Sequence, residues 1–287
     1  MTLGARLGSL LGAGWSALDR HRRVVAILYL VELAVASLVT IGIASSLSIV
    51  FGSRPLFDRG VAGDLAALYL SFDRRLSLLV ALVASGLAVA LAWAVASFYL
   101  GAGLYGVLLG RPFGESAGAR FGAFFRLWLW SVIPYTVAGF ILLLGLMGLE
   151  RSIDEALSWG ELLGAAAAAL SPGLAALALV SCVVDYARAV LTLSERPAAG
   201  RAFLAAARLV FGRALPLLHF LLYLGVWVAV TIGYLLLTWG RPYEGLGGAA
   251  LLFVVRQLTL GARFAARVAA SAGQVVYVTE RPSVTAP

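Results

Sequence analysis

Residues 76 to 109, LSLLVALVASGLAVALAWAVASFYLGAGLYGVLL, contain no charged side chain and no histidine. A hydrocarbon core of about 30 Å is crossed by about 20 helical residues rising 1.5 Å each. This stretch is therefore long enough to span a bilayer with residues to spare. Four further runs read the same way: Val24 to Phe51 with Glu32 inside it, Leu127 to Leu149, Leu162 to Val184, and Ala214 to Trp239 with His219 inside it. A sixth run opens at Leu246 and is interrupted by Arg256, with Arg263 soon after. The expected fold is all-α, an integral membrane bundle of six transmembrane helices forming one membrane domain over residues 1–287.

Composition agrees. Of 287 residues, 62% are hydrophobic and only 13% charged, far from globular averages. The net charge of +8 would point to nucleic acid in a soluble protein, but here the basic residues flank apolar runs, where they report orientation and contact with anionic lipid headgroups. Nucleic acid is excluded as a partner on that ground. All 22 basic residues are Arg and no Lys is present, which removes Schiff-base and phosphate-loop lysine chemistry. The single Cys182 cannot form an intramolecular disulfide.

With six spans both termini share a side. Arg6, Arg20, Arg22, Arg23, Arg111, Arg120, Arg126, Arg188, Arg196, Arg201, Arg208, Arg213, Arg263, Arg267 and Arg281 fall on that side, against Arg54, Arg59, Arg74, Arg75, Arg151 and Arg241 on the other. The positive-inside rule then places both termini in the cytoplasm of a bacterial inner membrane. The acids Glu150, Asp154, Glu155 and Glu161 in the third loop agree. Within residues 1–20 the apolar run Leu7 to Trp15 is short, broken by glycines and followed by Asp19 and a basic cluster, so no cleaved signal peptide is expected. Their pattern is that of an amphipathic interfacial helix, with Leu3, Leu7, Leu10, Leu11, Trp15 and Leu18 on one face and Thr2, Arg6, Ser9, Ser16 and Arg20 on the other.

One pattern recurs. Gly12, Trp15, Ala17 and Arg20 return as Gly118, Phe121, Ala123 and Arg126, and again as Gly200, Phe203, Ala205 and Arg208, each time before an odd-numbered span. The expectation is three parallel repeats, about 1–109, 110–184 and 185–279, each an interfacial elbow helix plus a helical hairpin, with a flexible tail over 280–287. Trp15 with Arg20, Phe121 with Arg126, and Phe203 with Arg208 are the candidate interfacial lipid contacts, the ring entering the headgroup boundary and the guanidinium reaching phosphate. The glycine of each copy would admit a neighbouring backbone. Arg-Pro occurs at Arg54, Arg111, Arg196, Arg241 and Arg281, always in a loop, whereas Pro134, Pro172 and Pro216 lie inside spans, where a kink is expected. Asp64 to Arg75 is expected to form a short external helix.

Ionisable groups inside a bilayer cost about 2.5–3.5 kcal/mol at its centre on insertion scales, so each needs a partner or a task. Glu32 lies about 12 Å into the first span and Arg256 about 15 Å into the sixth, depths that allow an ion pair. Arg256, Arg263, Arg267 and Gln274 repeat along one helix face, a stripe able to line a cavity or bind headgroups, or else to leave the membrane and be solvated. Asp185 is expected to pair with Arg188, or with Arg263. His219 and His21 alone cannot build a two-histidine metal site. Gly101 to Gly106 matches a dinucleotide fingerprint in letters only, because no strand precedes it. Gly106 and Gly110 are read as a close-packing pair, and Trp128, Trp130, Trp159, Trp239 and Tyr243 as interfacial anchors.

Asp185-Tyr186-Ala187-Arg188, followed by the Arg- and Ala-rich segment Gly200 to Arg213, resembles a group of uncharacterised bacterial polytopic inner-membrane proteins. That group is similar to the membrane domain attached to some glycerophosphoryl diester phosphodiesterases. The resemblance implies an inner-membrane helical protein, and with no phosphodiesterase domain in this chain it carries over no activity. The expected function is that of a scaffold or accessory subunit working through lipid or protein contacts, with no enzyme activity, cofactor or metal. The competing expectation is a small-solute or lipid transporter that uses Glu32 and Arg256.

Overall fold

The computed structural model describes residues 2–51, 76–155, 158–194, 198–238 and 245–281. They form eight helices and, among the described residues, no strand: α1 Leu3–Arg20, α2 Arg22–Phe51, α3 Leu76–Leu108, α4 Phe113–Glu155, α5 Trp159–Leu193, α6 Ala199–Phe211, α7 Ala214–Thr238 and α8 Gly245–Thr279. Within this set, Leu91–Leu108, Phe113–Leu149, Gly160–Leu193 and Ala214–Thr238 are long and apolar enough to cross a membrane. The chain is thus a helical, multi-pass membrane protein. The first expected span falls within α2 and the sixth within α8. The external helix at Asp64 to Arg75 lies outside the described residues, as do Arg54, Arg59, Arg196, Trp239, Arg241, Tyr243 and the tail beyond Arg281.

Local chemistry sets the helix ends. Thr2 caps α1, its hydroxyl accepting from the Ala5 amide at 3.4 Å. Ser158 and Glu161 form a capping box at the start of α5: the Ser158 hydroxyl accepts from the Glu161 amide at 3.3 Å, and the Ser158 amide donates to the Glu161 carboxylate at 3.1 Å. At the end of α3, Arg111 N–H donates to the Gly106 carbonyl at 3.0 Å and Gly110 N–H to the Val107 carbonyl at 2.9 Å. Gly110 itself adopts φ 74°, a left-handed value that favours glycine. Gly106 and Gly110 therefore do different things. A Cβ on Gly106 would collide with Ser116, so this glycine is a packing contact, whereas Gly110 has open space around it and serves the reversal alone.

The three elbows are not alike. The first and third are separate helices, α1 and α6, the latter parted from α7 by Gly212 and Arg213. The second is continuous with the following span as the first turns of α4. Eight residues past the elbow arginine the copies read alike, but the break at Gly212-Arg213 corresponds to Trp130-Ser131, where no glycine interrupts the ladder. The break also relocates Pro216. It is the third residue of α7, in the first turn, where a missing N–H costs no intrahelical bond. A mid-span kink at Pro216 is therefore not what this proline does, while Pro134 and Pro172 do lie inside helices. Nor do the pattern glycines admit a neighbouring backbone: Gly12 and Gly118 face open space, and a Cβ on Gly200 would meet the Trp130 indole at 3.1 Å.

The described residues fall into two compact units, Ala26–Phe98, and Met1–Val25 together with Tyr99–Pro287. In the larger unit each elbow packs on another helix: α3, α5 or α8. The first turns of α4 lie on the end of α3, where a Cβ on Gly103 would collide with Phe113. Helix α6 lies on α5, and α1 lies on α8, at the far end of the chain. In all three copies the elbow arginine (Arg20, Arg126, Arg208) is exposed, while the residue two before it (Leu18, Phe124, Ala206) is turned inward. The apolar face of α1 is consequently divided. Leu10 is buried and Leu11 and Leu18 pack against Tyr223, Ala266 and Ala269, whereas Trp15 stays 56% exposed.

Helices α4 and α5 form a closely packed antiparallel hairpin built on glycine. A Cβ on Gly173 would stand 2.5 Å from Leu142 Cα, and one on Gly145 would collide with the Ala169 carbonyl. Gly139, on the same helix, has no such neighbour. Between apolar helices in lipid, close approach of backbones replaces the hydrophobic drive that water supplies. Gly173→Ala is expected to destabilise the protein by about 1–3 kcal/mol, and Gly139→Ala to leave it unchanged. Cys182 is the only cysteine and is buried, so thermal unfolding followed with a thiol-reactive fluorophore measures both variants.

Candidate functional site

The well-buried part of the larger unit gathers polar side chains where α3, α5, α7 and α8 come together at their arginine-rich ends. Tyr105 on α3 donates its hydroxyl to Gln274 Oε1 on α8 at 2.9 Å, and its oxygen stands 3.4 Å from the Asp185 carbonyl on α5. Asp185 pairs with Arg188 at 2.9 Å, each about a third exposed. Tyr135 on α4 and Ser181 on α5 share a hydrogen bond at 3.1 Å. Arg120, from the second elbow, donates to the Leu191 carbonyl at 2.6 Å and the Ser194 carbonyl at 3.4 Å, satisfying acceptors that the end of α5 leaves without helical donors.

An aromatic layer lies beside this network. Tyr186 and Tyr277 meet edge to face with centroids 5.8 Å apart, and His219 and Tyr223 do so at 5.1 Å. The Tyr186 hydroxyl and His219 Nδ1 are 3.3 Å apart. His219 is completely enclosed. A Cβ on Gly273 would collide with its Nε2, and a Cβ on Gly14 would stand 2.7 Å from the Tyr223 hydroxyl and 2.5 Å from the Ala269 carbonyl. Two glycines thus let α1 and α8 close over the imidazole and phenol. The cost is visible: His219 Nε2 and the hydroxyls of Tyr223 and Tyr277 are buried without a hydrogen-bond partner among the described residues.

The candidates from sequence fall in different places. Asp185 finds Arg188, the first of its two expected partners. Arg263 instead donates to Thr231 Oγ1 at 2.5 Å and stacks on Trp227 at 4.6 Å. The stripe on α8 does not act as one face, since Gln274 is buried against Tyr105 while Arg256 and Arg267 are exposed. The row keeps one face of a straight helix, but its ends lie about 27 Å apart along α8, so its members meet different neighbours. Glu32 is half-buried on α2, His21 is half-buried between α1 and α2, and His219 lies within the aromatic layer. Trp15 is exposed and Phe121 and Phe203 are half-buried, Phe121 stacking on Phe125 at 6.4 Å. Gly101 to Gly106 lies inside α3, which removes the dinucleotide reading.

Tyr105, Tyr223, Tyr277 and Arg120 were not singled out by sequence reasoning, and Tyr186 entered it only within the Asp185–Arg188 run. A signal for several of them exists: Arg111-Pro112, Arg196-Pro197 and Arg281-Pro282 recur at equal intervals of 85 residues, just past the ends of α3, α5 and α8 in turn. Reading back one to three turns from each gives Tyr105, then Asp185 with Tyr186 and Arg188, then Gln274 with Tyr277.

Chemically, the site offers hydrogen-bond donors and acceptors, one ion pair and aromatic faces. No cluster of three His, Cys, Asp or Glu side chains able to hold a metal occurs among the described residues. No protein-family model, curated protein or solved structure matches the chain. The Tyr105–Gln274 bond ties α3 to α8, so Tyr105→Phe and Gln274→Leu should each destabilise the protein by about 1–3 kcal/mol. The double variant should cost less than the sum of the two. A double-mutant cycle on thermal unfolding reads the coupling.

Proposed function

We propose that this protein is a multi-pass inner-membrane protein, six spans in three elbow-plus-hairpin repeats with both termini cytoplasmic. It acts without catalysis, as a scaffold or accessory subunit working through lipid and protein contacts. The observation that supports this reading is the distribution of burial. Tight packing is concentrated at the arginine-rich end, while the other halves of α4, α7 and α8 expose large apolar side chains on several sides: Ile133 is 70% exposed, Leu236 73% and Leu258 69%. Such surface is comfortable only against lipid tails or another apolar protein face. The polar interior, by contrast, is enclosed by packed side chains and linked by hydrogen bonds, as suits holding helices together.

A second reading, transport of a small solute or lipid, is favoured by Arg256. Its side chain is exposed on α8 beside the exposed Val254 and Leu258, a charge in apolar surroundings that calls for an opposite charge. Glu32 is the acid proposed for it.

Native mass spectrometry of the gently solubilised protein is expected to show retained anionic lipid or companion chains. Reconstituted liposomes are expected to show no solute-dependent flux. Flux that Glu32→Gln abolishes would replace the scaffold reading with the transport one, and rescue of folding by the Glu32→Arg/Arg256→Glu exchange over either single change would establish the pair.

A further inference from the structure

We infer that Arg6, Arg213, Arg281 and the hydroxyl of Tyr277 form a binding site for a phosphate group, carried by a lipid headgroup or by a free anion. The inference deepens the lipid-contact reading above and rests on it for the lipid source alone.

Helix register brings these residues together from three parts of the chain. The Leu10 carbonyl lies beside Gly273, and Gly14 lies against Ala269, so α1 runs antiparallel to α8. Arg6, one turn before Leu10, therefore stands level with Tyr277, one turn after Gly273. Helix α7 is also antiparallel to α8, with Tyr223 clustered with Ala266 and Ala269 and His219 against Gly273. That register puts Leu215 level with Tyr277 and Arg213 just beyond it. Arg281, one turn past Tyr277, folds back so that its guanidinium lies 4.3 Å over the Tyr277 ring. The charges of Arg213 and Arg6 both reach the Tyr277 phenol, as does that of the acid Glu280.

Tyr277 supplies the second observation. It is 1% exposed, and its hydroxyl has no hydrogen-bond partner among the described residues although Arg281 lies over its ring and the charges of Arg6 and Arg213 reach it. A buried hydroxyl is rarely left so. Arg6 and Arg213 are exposed, free to turn toward an anion. The guanidinium fork suits phosphate oxygens, which accept paired N–H bonds from it. The amino-terminal ends of α1 and α7 fall at the same level and add partial positive charge. A phosphate here would accept from the arginines and from the phenol, and would bridge the first helix of the chain to the last.

The test titrates the full-length protein in detergent micelles with dihexanoylphosphatidylglycerol and, separately, with inorganic phosphate, following tryptophan fluorescence. Arg6→Gln/Arg213→Gln is expected to weaken binding about tenfold or more, and Tyr277→Phe about threefold to tenfold. Arg201→Gln, which removes an exposed arginine of α6, should stay within about twofold of the unmodified protein. Saturation by the lipid alone assigns the site to a headgroup. Saturation by both probes, with the same dependence on these residues, assigns it to any phosphate group. The inference is overturned if neither probe saturates, or if the variants bind as tightly as the unmodified chain. Should the double variant elute as an aggregate, Tyr277→Phe decides. If native mass spectrometry finds as much lipid on the variants as on the parent, this site falls and the broader lipid-contact reading stands.

Discussion

The docking of the three elbows onto α3, α5 and α8 is the contact on which the larger unit depends. Apolar helices in lipid gain little by burying apolar surface against one another, because the tails are as apolar as leucine. What can hold them is short range: backbones brought close and polar groups joined across the gap. The arginine-rich end supplies both. Its enclosed positions are dense in small residues, among them Ala117, Ala187, Ala189, Ala202, Ala206, Ala269 and Ala272. Gly14, Gly103, Gly106 and Gly273 stand where a Cβ would strike the neighbouring element. With α1 seated on α8, the series of elbow contacts closes on itself.

That closure explains why the buried chemistry has the character it does. Tyr105, Asp185, Arg188 and Gln274 come from three helices, α3, α5 and α8, and their hydrogen bonds fix which helix faces which. Lipid-facing surface cannot do this, since any apolar residue satisfies it. Arg120 makes the same point at a helix end, capping carbonyls of α5 from the adjacent elbow. The atoms of His219 and Tyr223 that lack a partner among the described residues mark the positions where packing has taken precedence over hydrogen bonding.

Much of this was legible in the sequence, and the remainder has identifiable physical causes. Hydropathy marks α3, α4, α5 and α7 as membrane helices because each alone must satisfy its backbone in lipid. The alternation of aromatic, alanine and arginine marks the elbows, since one face of each must be polar. Continuity of the second elbow with α4 was not legible, because it turns on Trp130-Ser131 standing where the third copy has Gly212-Arg213. Gly110 was read as a packing residue because spacing cannot distinguish a glycine needed for close approach from one needed for a left-handed turn. The aromatic layer was invisible for a different reason. Tyr186, His219 and Tyr277 lie far apart along the chain, and which of them meet is decided by helix register, a property of the assembled fold.

The seating of α1 on α8 also sets an order of events. A ribosome delivers α1 before α8, so the surface that will hold α1 does not exist until α8 has been made. In the interval its apolar side must rest elsewhere, and a nascent helix with Trp15 on one flank and Arg6 and Arg20 on another is suited to wait on the lipid surface. His21 is the single residue between α1 and α2, so any change in the direction of α1 relative to the start of α2 must be made there.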